Sequence, residues 1–124
     1  MGRTMPFFIA LLVAISTAGS PVRAEEAPFE GNLMRLAEIL GSLHFLRNLC
    51  GEHGDQWRQQ MEKLLDAEKP DAARRAKFIA SFNRGYRSFE GTYAKCTSSA
   101  AEAIARYMKE GETLTREVTG RYGN

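Results

Sequence analysis

The chain has 124 residues, 44% of them hydrophobic and 26% charged, with a formal net charge of +2. That length suits one domain. The basic excess resides in Arg3 and Arg23, and beyond them 15 acidic residues face 15 basic ones, a balance that excludes a global field for attracting nucleic acid.

Residues 1–24 read as a secretory signal. Arg3 supplies the positive start, Phe7 to Ala18 is apolar apart from Ser16 and Thr17, and Val22-Arg23-Ala24 offers small residues where a signal peptidase reads. The apolar run falls short of the ~20 residues of a spanning helix. The expected product, cleaved after Ala24, is therefore not an integral membrane protein; the alternative is an uncleaved anchor. Neither a lipoprotein cysteine nor a twin-arginine pair is present, so export of an unfolded chain is expected.

A domain of ~100 residues buries only about two-thirds of its unfolded surface, and an exported one gains from a covalent staple. Cys50 and Cys96 are the only cysteines. An oxidising compartment would join them, closing a loop of about 47 residues worth roughly 4 kcal/mol in the chain-entropy model. Two free thiols, or a bridge to a partner, are the alternatives.

Glu25 to Gly31 reads as a mobile acidic lead-in, and a helical domain is expected over 32–122. Asn32 can cap the first helix and Gly51 can stop it. Leu36, Ile39, Leu40, Leu43, Leu46 and Cys50 fall within about 120° of arc, with Met34, Phe45 and Leu49 on the other side. A helix apolar on two sides wants neighbours on both, which makes this one central. Asp55 can cap a second helix whose apolar face is Trp57, Met61, Leu64 and Leu65, and Pro70 ends it.

Asp71 caps the third helix. Ile79, Phe82, Tyr86, Phe89, Tyr93 and Cys96 recur at spacings of 3, 4, 3, 4 and 3, which predicts one buried seam. Gly85, near its edge, would let another helix come close. Thr97-Ser98-Ser99 is the expected break, with Ser99 and Glu102 as a capping box for a fourth helix. One continuous third and fourth helix is the alternative. The sum is an all-α, up-down bundle of about four helices, in which the first and third run parallel and bring Cys50 and Cys96 to the same end.

Few groups converge for chemistry. The sequence holds no CxxC, CxxCH, HExxH or phosphate-cradling glycine loop, so no cofactor is expected and an enzyme is disfavoured. Ser98 and Ser99 are explained better as caps than as nucleophiles. Cys50 and His53 have the C-x-x-H spacing of a zinc clasp, with Glu52 and Asp55 nearby, but a disulfide removes the thiolate and His44 points elsewhere. The expected metal site is none.

The third helix carries a more distinctive feature. From Ala72 to Phe89 it has basic residues and no acidic one, and Arg74, Lys77, Arg84 and Arg87 lie opposite Phe78, Ile79, Phe82, Tyr86 and Phe89. Arg75 is the exception, turned towards the apolar side. Such a stripe can dock on an acidic partner, anionic lipid or lipopolysaccharide, or can be a solvated face neutralised from elsewhere in the fold.

The strings Leu36-AEILGSLHFLRNL-Cys50, Trp57-Arg58, Phe82-NRGYRSFEGTYAKC-Thr97, Arg106-Tyr107, Glu110-Gly111 and Arg121-Tyr122-Gly123 resemble a family of small exported proteins of rhizobia and related alphaproteobacteria, known only as a conserved domain of unknown function. The resemblance implies a periplasmic setting and brings no activity. The expected function is that of a non-enzymatic periplasmic module binding a protein partner or envelope component. A peripheral binder of anionic lipid is the alternative, followed by a small metalloprotein or hydrolase.

Overall fold

The computed structural model describes Gly2 and residues 27–122, so the expected signal (Gly2 aside) and its cleavage point lie outside the described residues. The described residues form four helices: α1 (Ala27–Leu49), α2 (Gln56–Glu68), α3 (Ala72–Glu90) and α4 (Ser98–Tyr122). No strand occurs among the described residues.

Helix α1 is the axis. Leu33, Leu36, Ala37, Ile39, Leu40, Leu43 and Leu46 are all buried, and they cover more than one face. One core joins Leu33, Ala37 and Leu40 to Met61 and Leu65 of α2 and to Phe78 and Phe82 of α3. A second joins Ile39, Leu43 and Leu46 to Ala100, Ala103 and Ile104 of α4. Trp57 packs against both.

The helix begins before the expected cap. Asn32 lies inside α1, and its side-chain amide donates to Glu117 over 3.4 Å. Pro28 falls in the first turn, where its missing N–H costs no helical bond. Glu30 in the same turn suits the positive end of the helix dipole. Leu33, only 1% exposed, needs helical chain ahead of it to hold its side chain in the core. The other end behaves as expected. Gly51 takes φ +101°, the Gly51 N–H donates to Asn48 O and the Glu52 N–H to Arg47 O, a Schellman stop that needs glycine.

Helix directions follow from the contacts. Glu30 meets Arg74, Met34 meets Ser81, and Phe45 meets Tyr86, so α3 runs parallel to α1. Asn32 meets Glu117 and Arg35 meets Glu110, so α4 runs antiparallel, and α2 does too. The topology is up-down-up-down.

The buried face of α3 is rotated from the expected seam. Phe78, Ser81, Phe82 and Gly85 are buried, whereas Ile79 is 39% exposed. The cause is backbone proximity. A Cβ on Gly85 would overlap the carbonyl oxygen of Glu38, and one on Gly41 would overlap that of Phe82. The two glycines let α1 and α3 touch backbone to backbone, and that contact turns small residues inward and moves Ile79 out.

Caps and connectors differ in detail. Asp71 caps α3 by accepting from the Arg74 N–H at 2.8 Å. Asp55 precedes α2 but its side chain makes no cap bond; instead Asn48 ties the connector, donating to His44 O (2.7 Å) and accepting from the Gly54 N–H (3.0 Å). Helix α3 stops at Glu90, so Tyr93 and Cys96 belong to the connector, and helices three and four are separate. Thr97, not Ser99, caps α4: its hydroxyl accepts from the Ala100 N–H at 3.1 Å. Tyr93 still stacks on Phe89, with ring centroids 6.1 Å apart.

Cys50 and Cys96 form a disulfide between chain positions 46 apart, with Cα atoms 5.0 Å from each other. It joins the end of α1 to the connector before α4, at the end of the bundle reached by both parallel helices.

The glycine contact is directly testable. Gly85→Ala is expected to lower stability by roughly 3 kcal/mol, the upper end of overpacking costs, measured by urea unfolding. Gly120→Ala, which meets nothing within 4 Å, should be neutral or slightly stabilising. Equal unfolding midpoints for the two variants would refute the backbone contact.

Candidate functional site

The four cations expected to form one stripe have different fates. Arg74 is a structural clasp. Its Nε lies 2.9 Å from Glu30 and its Nη2 3.3 Å from Glu68, so it ties the starts of α1 and α3 to the end of α2. Its guanidinium also sits 5.1 Å from the Phe78 ring centroid. The bonds to Glu30 hold its pKa above the usual arginine value. It turned inward because the α3 seam rotated toward Phe78. Arg84 is 63% exposed and reaches Glu38 at 3.3 Å. Lys77 and Arg87 are exposed and have no carboxylate at ion-pair distance among the described residues. Arg75 is exposed as well, contrary to the inward direction expected of it.

A second clasp is Arg35 of α1. It donates to both carboxylate oxygens of Glu110, each at 2.9 Å, and lies 5.4 Å from the Tyr107 ring centroid. This pairing raises the Arg35 pKa and lowers that of Glu110. Both clasps neutralise charge within the fold and take it out of any docking surface.

A groove of about 620 Å³ lies between α2 and α4, floored by α1. Leu36, Ile39, Leu40 and Leu43 form the floor, and Trp57 and Met108 the walls. Its size lies within the ~300–1,000 Å³ of ligand sites, which are mostly apolar with few polar groups. Met108 is one of the exposed large hydrophobics of the molecule, at 39%. On the rim, Arg116 pairs with Glu112 at 3.2 Å, while Lys109 has no such partner among the described residues. The groove exists because α2 and α4 each pack on α1 rather than on one another. The stripes of α1 and α2 that line it are legible in the sequence, but no sequence signal brings α2 and α4 to the same side of α1.

On the other flank of α2 lies a notch of about 300 Å³ lined by His44, Arg58, Phe82, Asn83, Tyr86, Arg87 and Glu90. A neighbouring depression shares His44 and Tyr86 and adds Asn48, Gly54 and Asp55. The His44 ring packs 5.9 Å from Phe82 and 5.7 Å from Tyr86. Its Nδ1 is buried without a hydrogen-bond partner. Burial, and then the charge of Arg58, push its pKa below the ordinary histidine value, while Asp55 opposes them. Sequence reasoning passed over Arg58, which belongs to no stripe of its own.

The other candidate groups stay apart. Cys50 is engaged with Cys96 and offers no thiolate beside the exposed His53. Glu52 is held by Gln56 (2.7 Å) and by Arg47; these partners, Gln56 first, lower its pKa. Ser98 and Ser99 are exposed in the first turn of α4. No group of three or more His, Cys, Asp or Glu that could hold a metal ion occurs among the described residues. No described helix is long and apolar enough to cross a membrane.

This architecture can be set beside known proteins. The model of a family described as a protein of unknown function, DUF2385, matches residues 28–122. The chain belongs to the DUF2385 family. The match begins at the first turn of α1 and ends with α4, so the family unit coincides with the disulfide-linked bundle. No curated protein and no solved structure matches this DUF2385 chain. Family membership therefore supplies a unit and no activity.

The depressed pKa of His44 has a consequence with a definite sign. The unfolded chain binds a proton more readily than the folded one, so stability rises with pH wherever the unfolded form carries the extra proton. Folding is expected to weaken as pH falls below the unfolded histidine value of about 6.5, levelling off below the folded value. His44→Gln should flatten that slope in urea unfolding between pH 5 and 8. An unchanged slope would show that His44 does not titrate between the two states.

Proposed function

We propose that the protein is an exported, non-enzymatic periplasmic module that binds an apolar portion of an envelope component in the groove between α2 and α4. One observation carries this reading: an open slot with an aliphatic floor, walled by Trp57 and Met108. Closing such a slot against an acyl chain removes apolar surface from water, worth roughly 0.8 kcal/mol per buried methylene. The disulfide and the signal-like residues 1–24 support export, and the resemblance to rhizobial proteins supports the periplasm.

Trp57 is the only tryptophan and lies in the groove wall, which makes it an internal reporter. A brominated fatty acid, held below its micelle concentration, should quench Trp57 saturably. Met108→Glu should weaken that quenching by about 10-fold, because the charge would have to be desolvated. Unquenched Trp57 would reject the groove as the binding surface.

A second reading, docking on anionic lipid or lipopolysaccharide through α3, is favoured by the exposure of Lys77, Arg84 and Arg87; Arg74 is occupied by Glu30 and Glu68. Salt-sensitive flotation with anionic vesicles, lost in Lys77→Glu plus Arg84→Glu, is its expected outcome. No flotation at low salt rejects it.

A further inference from the structure

We infer that the notch between α1, α2 and α3 is a binding site for a phosphate group, held by Arg58 and Arg87 with His44 at its base. This goes beyond the groove, from which it is separated by α2, and does not depend on it.

Two like charges carry the argument. Arg58 comes from α2 and Arg87 from α3, yet both line one opening of about 300 Å³. Elsewhere the fold gives Arg35, Arg47, Arg74, Arg84 and Arg116 a carboxylate each, while the exposed Arg75 and Arg106 have none but do not line this opening. Arg58 and Arg87 receive none at ion-pair distance among the described residues. Glu90 lines the same notch and Asp55 the neighbouring depression, but neither pairs with these arginines. Convergent, unneutralised guanidinium groups repel one another unless an anion sits between them. Free phosphate or a lipid headgroup would supply it.

The remaining lining suits such an anion. Asn83 and Tyr86 add neutral donors, and His44 presents a ring whose Nδ1 is buried without a partner. A tetrahedral phosphate can accept from donors arriving from three helices at once, whereas a carboxylate spreads two oxygens in one plane. Arginine forks also match phosphate geometry in a bidentate manner. The groups facing His44 are Arg58 and Asp55 from the α2 side, Tyr86, Arg87 and Glu90 from α3, and Asn48 on its own helix. An anion placed among them would favour imidazolium, so phosphate binding and His44 protonation should strengthen each other reciprocally.

The test is NMR titration of the His44 ring in the purified protein, at low ionic strength, with and without inorganic phosphate. Phosphate should raise the His44 midpoint and leave exposed His53 unchanged. In Arg58→Gln plus Arg87→Gln the apparent phosphate affinity should fall by roughly 10-fold or more, as expected for lost charge-assisted bonds. Lys77→Gln, which removes a cation of α3 outside the notch, should retain the response. Both arginines are exposed, so the double variant should keep its fold, checked by its unfolding midpoint. Phosphatidylglycerol vesicles in place of free phosphate distinguish the sources: perturbation of His44 by vesicles more strongly than by matched free phosphate marks a headgroup, and the reverse marks a free anion. No phosphate effect on His44, or an equal effect in the double variant, overturns the site.

Discussion

The fold depends on the contact between the backbones of α1 and α3. Gly41 and Gly85 remove the two Cβ atoms that would otherwise strike Phe82 O and Glu38 O. Once the helices lie that close, Ser42 and Ser81 are buried beside them, each with an acceptor: Glu38 O one turn back for Ser42, and the Met34 sulfur across on α1 for Ser81. Small residues here do what large ones do elsewhere in the core, by allowing many weak contacts along two helices. The price is intrinsic helix stability, since glycine costs about 1 kcal/mol in a helix interior.

Everything peripheral is arranged around that pair. Helices α2 and α4 reach α1 from other sides and are fastened to it by buried aliphatic side chains and two arginine clasps, Arg74 and Arg35. The disulfide adds a constraint that acts mainly on the unfolded chain, joining the end of α1 to the chain leaving α3. Because α2 and α4 share a floor, the groove between them stays open. Because α2 stands over α1 with Trp57 and Arg58 adjacent in sequence, the same short helix walls an apolar slot on one flank and an electropositive notch on the other.

The basic stripe shows how charge counted along one helix misleads. By angle alone Arg74 belongs with Lys77, Arg84 and Arg87, yet a modest rotation of α3 places it against Phe78 and between two glutamates. Glu30 is distant in sequence, and Glu68 lies across the short turn between α2 and α3. His44 and Arg58 are the converse case: neither stands out in a linear pattern, and they come to line one opening only when three helices meet.

Sequence periodicity alone determined that the protein is helical, that α1 is central and that Gly51 and Pro70 end helices, because helical spacing and stop residues are local properties of the chain. The sequence leaves a Cys50–Cys96 bond beside two free thiols and a bridge to a partner, and the tertiary structure decides for the bond. The start of α1, the stop of α3 at Glu90 and the cap at Thr97 escaped it, since each is decided by which side chains must reach the core. Tertiary structure alone decided which face of α3 is buried, which arginines are neutralised, and where openings remain. Those outcomes depend on how closely two backbones can approach and on which carboxylate lies within reach, and neither quantity is written in the spacing of residues along one helix.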